Sequence, residues 1–305
     1  MIARLLQRTL SAAITLVVVI GLCLALLRSV PGGPLDQERL APPEVQAALA
    51  ERYGLDLAFH QQLYRYLNAL MHGDLGPSFQ QADFSVNELL QSALPLSLQM
   101  GGLALLLAGL MALSSASLAM RDTSVLSPML TTLATLLQAT PKFVLGPLLI
   151  LWLALAWRWF PVTGYGTGML GLVLPILTLA LPQWAWLHRV CLAELINTQD
   201  STAWRAERAR GAGALALWRQ LAWPLLLPRL SIAVLPASIA LLSGSAVVEQ
   251  IFSIPGMGRL LIQGALNRDY TVVLGVVSVT AALVLLLGLL SDLCARWLDP
   301  RLRSR

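Results

Sequence analysis

"TLSAAITLVVVIGLCLALL", Thr9–Leu27, is an uncharged run of 19 residues, bounded by Arg4 and Arg8 on one side and Arg28 on the other. An α-helix needs roughly 20 apolar residues to cross the hydrocarbon core of a bilayer. Basic residues followed by an apolar run also open a secretory signal, but signal cores are only about 7–15 residues long. No small-x-small cleavage site cleanly precedes the next polar stretch. The run therefore reads as a retained first membrane helix. Composition agrees: 57% of the 305 residues are hydrophobic and 12% are charged, against about 25% charged in soluble domains.

The same criterion applied along the chain predicts six spans, at 9–29, 95–120, 129–157, 169–187, 229–249 and 272–294. The expected fold is all-α and polytopic. The third span is the least clean, because Lys142 interrupts it. Prolines punctuate the set (Pro95, Pro128, Pro141, Pro147, Pro175, Pro182 and Pro236), and each frees a backbone carbonyl that a neighbour must satisfy. With the N-terminus inside, the inner segments carry most of the arginines, among them Arg4, Arg8, Arg121, Arg189, Arg205, Arg208, Arg210 and Arg219. Positive charge favours the cytoplasmic side, which predicts N-in and C-in. The net charge of +5 thus serves topology, and a nucleic-acid partner is excluded. Cys23, Cys191 and Cys294 have no close spacing, and His60, His72 and His188 are scattered, so neither a disulfide framework nor a metal motif is expected.

One long external segment, 31–93, holds eight of the sixteen acids. Within it, "EVQAALAERYG" and "LAFHQQLYRYLNALMHG" read as two short helices stopped by Gly54 and Gly73. Phe59, Leu63, Tyr66, Leu67 and Leu70 fall on one face of the second. That face can lie on the membrane, meet a partner, or pack on the protein's own spans.

No nucleotide site is legible. A phosphate-binding loop needs Gly-x-x-x-x-Gly-Lys-Ser/Thr, and the only lysine, Lys142 in "QATPKFVLG", lacks that frame. Neither Gly-x-Ser-x-Gly nor His-Glu-x-x-His occurs. What stands out is "STAWRAERARGAGALALWRQLAWPLLLPRL", Ser201–Leu230, with five arginines between nearly uncharged segments. Trp204–Arg210 reads as a helix broken by Gly211 and Gly213. Ala214–Ala222 resumes it, with Trp218 and Leu221 as apolar contacts, Pro224 ends it, and Pro228 opens the next span. A rigid basic elbow suits an acidic cleft on another protein. The bland alternative is an inside loop touching anionic lipid.

The elbow resembles the cytoplasmic loop of importer permeases of the ATP-binding-cassette class. Their motif is Glu-Ala-Ala, three residues, Gly, then about thirteen residues to a Pro; here Gly211 and Pro224 keep the spacing and Trp218 takes the aromatic place. Arg205 stands where the glutamate would be, Ala206 keeps its place, and Glu207 replaces the second small residue. "LLRSVPGGPL", "APPEV", "MHGDLGPSF", "FSVNELL", "WFPVTGYG", "VVEQIFSIPGMGRLLIQGALNRDYTVVL" and "LDPRLR" extend the likeness over nearly the whole chain. Together they resemble the B-type permease subunit of oligopeptide importers; dipeptide, nickel and glutathione permeases share that plan.

The resemblance implies a multi-pass protein of the bacterial inner membrane. Its expected partners are a second homologous permease, two ATPase subunits, a periplasmic solute-binding protein and membrane lipid. It implies no catalytic residue, metal or cofactor on this chain, ATP and Mg being bound by the ATPases. The coupling residues would be Arg205, Ala206, Glu207, Arg208, Gly211, Ala212, Leu215 and Trp218. The expected organisation is a first helix (1–30), a periplasmic segment (31–93), a five-helix permease domain (94–299) containing the loop 201–228, and a cytoplasmic tail (300–305).

Five further residues are candidates for the pathway or its external gate: Lys142, Glu249, Pro255, Gly256 and Gly258. Lys142 sits about 14 residues into the third span, near mid-membrane at about 1.5 Å per residue, where a charge usually faces a cavity. It is expected either to meet an anionic group in the pathway or to pair with an acid of the partner permease. Glu249 ends the fifth span, where snorkelling or exposure makes an acid cheap. Pro255, Gly256 and Gly258 read as a turn that uses the positive φ glycine permits. Arg268 and Asp269 in "NRDY" read as a local ion pair. Three rival classes are weighed. A membrane-embedded enzyme needs a polar cluster inside the spans, where only Lys142 is seen. A channel or secondary transporter does not need the elbow. An assembly subunit leaves the turn beside Glu249 unexplained.

Overall fold

The computed structural model describes residues 2–29, 57–81, 83–121, 124–164, 166 and 168–298. The predicted helix at 44–54 and the tail at 300–305 lie outside them. The regular elements among the described residues are helices: α1 (Ile2–Ser29), α2 (Phe59–Met71), α3 (Val86–Arg121), α4 (Leu126–Ala139), α5 (Lys142–Leu149) with a π-helical continuation (Ile150–Ala156), α6 (Met169–Gln199), α7 (Thr202–Ala209), α8 (Ala214–Leu217) with a π turn (Trp218–Ala222), α9 (Trp223–Ile251), α10 (Met257–Leu266) and α11 (Tyr270–Leu298). One isolated antiparallel bridge joins Pro77 and Ser85.

Among the described residues five helices are long and apolar enough to cross a membrane, and α4 with α5 and its continuation makes a sixth if counted as one span. That pair bends by 108°, so the predicted third span is not a straight rod. The break has a local cause. Pro141 disfavours helix at Thr140, and Thr140 and Pro141 are both extended, with ψ 118° and 143°. Two other boundaries also differ. α6 runs twelve residues past the predicted end at 187, because His188, Arg189 and Glu194 end the apolar run without ending the helix. The helix resumed at Ala214 does not stop at Pro224; it continues through the π turn into α9 and on to Ile251. Pro224 falls in the first turn of α9, where a missing N–H is least felt. Pro228 then lies inside α9 and does not open it.

The chain divides into two compact units: 1–96 with 255–285, and 97–254 with 286–305. In the first, the N-terminal part of α11 is central. Val272 and Val276 pack with Leu75, Val86, Leu90, Ala93 and Met257, while Leu274 packs with Ile20 and Leu24 of α1. A Cβ on Gly275 would stand 2.5 Å from Val86, so glycine sets this close approach. Leu63, Tyr66, Leu67 and Leu70 of α2 pack against the α1 cluster. The apolar face of α2 thus serves the protein's own spans, while Phe59 at its start stays exposed.

In the second unit α6 packs against α4, α5 and α9. It is the most enclosed span, with 61% of its apolar window buried, against 11% for α1. The C-terminal half of α3 presents a ladder of four fully buried alanines at 104, 108, 112 and 116, the small-residue pattern that lets membrane helices approach closely.

Candidate functional site

The basic stretch folds as an elbow fixed at both ends. Ser201 has extended backbone and caps α7: its hydroxyl oxygen accepts from the Trp204 N–H at 3.2 Å and donates to the Thr198 carbonyl at 2.6 Å. One side chain therefore joins the end of α6 to the start of α7. Arg205 donates to the Asp200 carbonyl at 2.9 Å, a cation at the negative end of α6. Arg210 pairs with Glu207 at 2.6 Å. Trp204 is buried and anchors α7, while Arg205, Ala206, Arg208 and Arg210 are exposed and Glu207 is half-buried. The outward face is thus basic.

A Schellman motif ends α7. Ala212 donates to the Glu207 carbonyl and Gly211 to the Arg208 carbonyl, each at 3.1 Å. Gly211 takes φ +83°, the left-handed turn glycine supplies. Leu217 and Ala222 are buried beyond it, and Trp218 and Ala212 are half-buried. The side chain of Leu215 lies outside the described residues.

The predicted external residues differ more from expectation. Glu249 is not exposed: it is fully buried, and Ser97 of α3 donates to its Oε1 at 2.8 Å. Carboxylates inside an apolar bundle need such donors. A Schellman motif also ends α9, with Ile254 donating to the Glu249 carbonyl at 2.8 Å. Its left-handed residue is Ser253, φ +55°, and not one of the glycines. Gly256 is extended, with φ −99° and ψ −179°, and stands at the N-cap of α10; Gly258 is buried in the first turn of that helix. "WFPVTGYG" meets this turn, because Gly164 donates to the Phe252 carbonyl at 2.9 Å. A Cβ on Gly164 would fall 2.8 Å from the Ile254 side chain, so only glycine fits unchanged.

Lys142 stands at the break between α4 and α5, half-buried, and donates to the Ala240 carbonyl of α9 at 2.7 Å. It is not the only polar group within the helices. His188 of α6 is fully buried with Nδ1 2.8 Å from the Ser115 hydroxyl, which also accepts from Trp184 Nε1 at 3.0 Å. Glu194 lies 3.6 Å from Arg229. The signal for these was present, since polar residues in membrane helices are costly, but the span end at 187 hid them. Asp269 does not pair with Arg268. It is buried and accepts from the Ser78 hydroxyl, from the Phe79 and Gln80 N–H groups, and from Thr271 and Val272. Ser85 and Glu88 form a reciprocal capping box at the start of α3, legible as Ser-x-x-Glu before an apolar run. Among the described residues no three of His, Cys, Asp and Glu converge as a metal site would require.

Comparison with known proteins places this geometry in context. The family model for the binding-protein-dependent transport system inner membrane component matches residues 104–304. The chain is 35% identical to the oligopeptide transport system permease protein OppB of Escherichia coli (strain K12), over 99% of this chain and 100% of that protein. It is 34% identical to the OppB of Haemophilus influenzae (strain ATCC 51907 / DSM 11121 / KW20 / Rd), over 97% and 98%. It is 29% identical to the dipeptide transport system permease protein DppB of Lactococcus lactis subsp. cremoris (strain MG1363), over 99% and 100%.

Proposed function

The chain belongs to the inner membrane components of binding-protein-dependent transport systems, and from that membership we propose that it forms, with a second homologous permease, the translocation pathway of an oligopeptide importer. It is a multi-pass inner-membrane protein and a transport component. On our reading a solute-binding protein delivers the peptide outside, and two separate ATPase subunits, which bind ATP and Mg, drive the cycle from inside. The chain lies N-in and C-in, with 1–30 as first helix, 31–93 periplasmic, 94–299 the permease domain and 300–305 a cytoplasmic tail.

The observation that carries the docking role is the elbow at 201–213. A lever must be stiff, and here α7 is tied to the end of α6 through Ser201 and Arg205, with Trp204 buried in its first turn. Its exposed arginines suit an acidic cleft. When the ATPases close, the push on α7 passes into α6, the most enclosed helix. Arg205, Ala206, Glu207, Arg208, Gly211, Ala212, Leu215 and Trp218 form the coupling surface. Lys142, Glu249, Pro255, Gly256 and Gly258 belong to the pathway and its external gate.

Affinity purification of the tagged chain in mild detergent tests the assembly. A second permease and ATPase subunits are expected to co-purify, and to be lost on deletion of 204–213. Uptake that persists without ATP would overturn the proposal in favour of a channel or secondary transporter. Competition between dipeptides and longer peptides in proteoliposomes decides the substrate, because relatives named for dipeptides match the same length of chain.

A further inference from the structure

α9 carries no charge between Arg229 and Glu249, an interval long enough to cross a hydrocarbon core. Ala240 stands midway along it, about 13–16 Å from either charged residue at about 1.5 Å per residue. Lys142 Nζ donates to the Ala240 carbonyl at 2.7 Å. The only lysine of the chain therefore holds its charge at mid-span, a placement fixed by contact with α9 and not by counting along the bent pair α4–α5. An ammonium has three donors. The Ala240 carbonyl takes one and is neutral, and Lys142 forms no ion pair among the described residues. The charged ends of the α9 interval are engaged elsewhere: Arg229 lies 3.6 Å from Glu194, and Glu249 accepts from Ser97 at 2.8 Å.

The place is open on one side. Lys142 is half-buried, Pro141 and Phe143 beside it are exposed, and Pro236 and Val247 are exposed on the face of α9 that carries Ala240. A cation at this depth faces a cavity or a counter-charge and not lipid tails, and headgroups lie at the ends of the span. Its anion must come to mid-membrane from outside the chain. We propose that Lys142 is a subsite for the C-terminal carboxylate of the transported peptide, its ammonium steadied by the Ala240 carbonyl. This rests on the peptide-importer reading and adds to it the chemical group that the pathway recognises. Linear peptides of different sequence share a backbone, an amino terminus and a carboxylate, so a cation that reads the carboxylate serves all of them. A neutral carbonyl leaves the charge of Lys142 uncompensated between turnovers, and a single cation binds weakly enough to release what it takes. A fixed acid on the second permease would neutralise it permanently, and the test separates that case.

The test is ATP-driven uptake by the whole transporter in proteoliposomes, comparing trialanine with trialanine amide. Rates are taken at saturating loaded binding protein, so that the affinity of that protein drops out. The wild type is expected to move the free acid on the order of tenfold faster than the amide. Lys142→Gln is expected to slow trialanine to the rate of the amide and leave the amide unchanged, while Lys142→Arg keeps the preference. Trialanine moved by Lys142→Gln at the wild-type rate overturns the subsite. So does an equal loss for acid and amide, or loss of the second permease from the purified Lys142→Gln complex, either of which puts the carboxylate on the partner. If Lys142→Gln yields no folded chain, the wild type decides alone, and equal rates for acid and amide overturn the proposal. A wild type that moves neither peptide with ATP fails differently: the importer reading falls, and the subsite with it.

Discussion

At the scale of single residues, two side chains hold positions that a reader of composition would not choose for them. Ser253 and Arg268 adopt φ +55° and +54° at the ends of α9 and α10, each at the place in a Schellman motif usually taken by glycine. An L-residue there costs about 1–2 kcal/mol, and glycine gives back part of that through its own entropy. Ser253→Gly is therefore expected to stabilise the protein by about 0.5–1 kcal/mol, seen as a raised thermal midpoint in detergent; a lowered midpoint would show that the serine side chain contributes more than its strain costs. Asp269 is the opposite case, a buried carboxylate with donors on both oxygens. Asp269→Asn keeps the shape but exchanges acceptors for donors, and should cost about 2 kcal/mol, since hydrogen bonds to charged groups are worth about 1.5–3 kcal/mol. Limited proteolysis of the 74–81 segment is the direct readout. Neither role was legible in the sequence, because the partners of Asp269 lie up to 191 residues away and a left-handed serine has no signature. The same distance hid the burial of Glu249, whose donor Ser97 is 152 residues distant.

At the scale of elements, the elbow divides into what spacing reveals and what it does not. Gly211 was readable as a break, and it is the residue with positive φ. Gly213 was given equal weight, yet its φ is not positive and nothing lies within 4 Å of where its Cβ would stand. The two glycines therefore predict different outcomes. Gly211→Ala places an L-residue in the left-handed region at about 1–2 kcal/mol, tilts the following turn, and should reduce peptide-stimulated ATPase activity of the assembled complex several-fold. Gly213→Ala should leave it unchanged. Equal effects would mean that the loop is a flexible tether and not a lever. The continuation through Pro224 was missed for a related reason. Proline removes the hydrogen bond to the residue four before it and crowds that residue's carbonyl; for Pro224 that carbonyl lies in the π turn Trp218–Ala222, and the helix continues where its sequence suggests a stop.

At the scale of the whole molecule, apolar runs locate the five helices long enough to cross and the bent pair that makes a sixth if counted as one span, because the bilayer fixes a length that sequence can be measured against. They did not give the 108° bend at Pro141, which leaves the run apolar, or the extension of α6, where the helix outlasts its apolar run at His188, Arg189 and Glu194. Orientation rests on arginine placement alone, and it decides whether the elbow can meet ATPase subunits at all. Cysteine accessibility tests it. Cys294 is exposed and would react; Cys191 is buried and Cys23 half-buried. In a background with these three replaced by serine, Arg208→Cys and Tyr64→Cys offer exposed reporters on α7 and α2. With N-in topology, a membrane-impermeant maleimide should label Tyr64→Cys in intact spheroplasts and Arg208→Cys only after lysis. The reverse pattern would put the basic elbow outside, against the positive-inside rule, and the docking role would fall with it. Labelling of both only after lysis would return α2 to the cytoplasmic side and require an odd number of crossings between the two reporters to become even, which the bent pair permits: counted as a re-entrant loop and not a span, it changes that parity. The bend at Pro141 is thus the element on which the topology turns, and this pair of labels reads it directly.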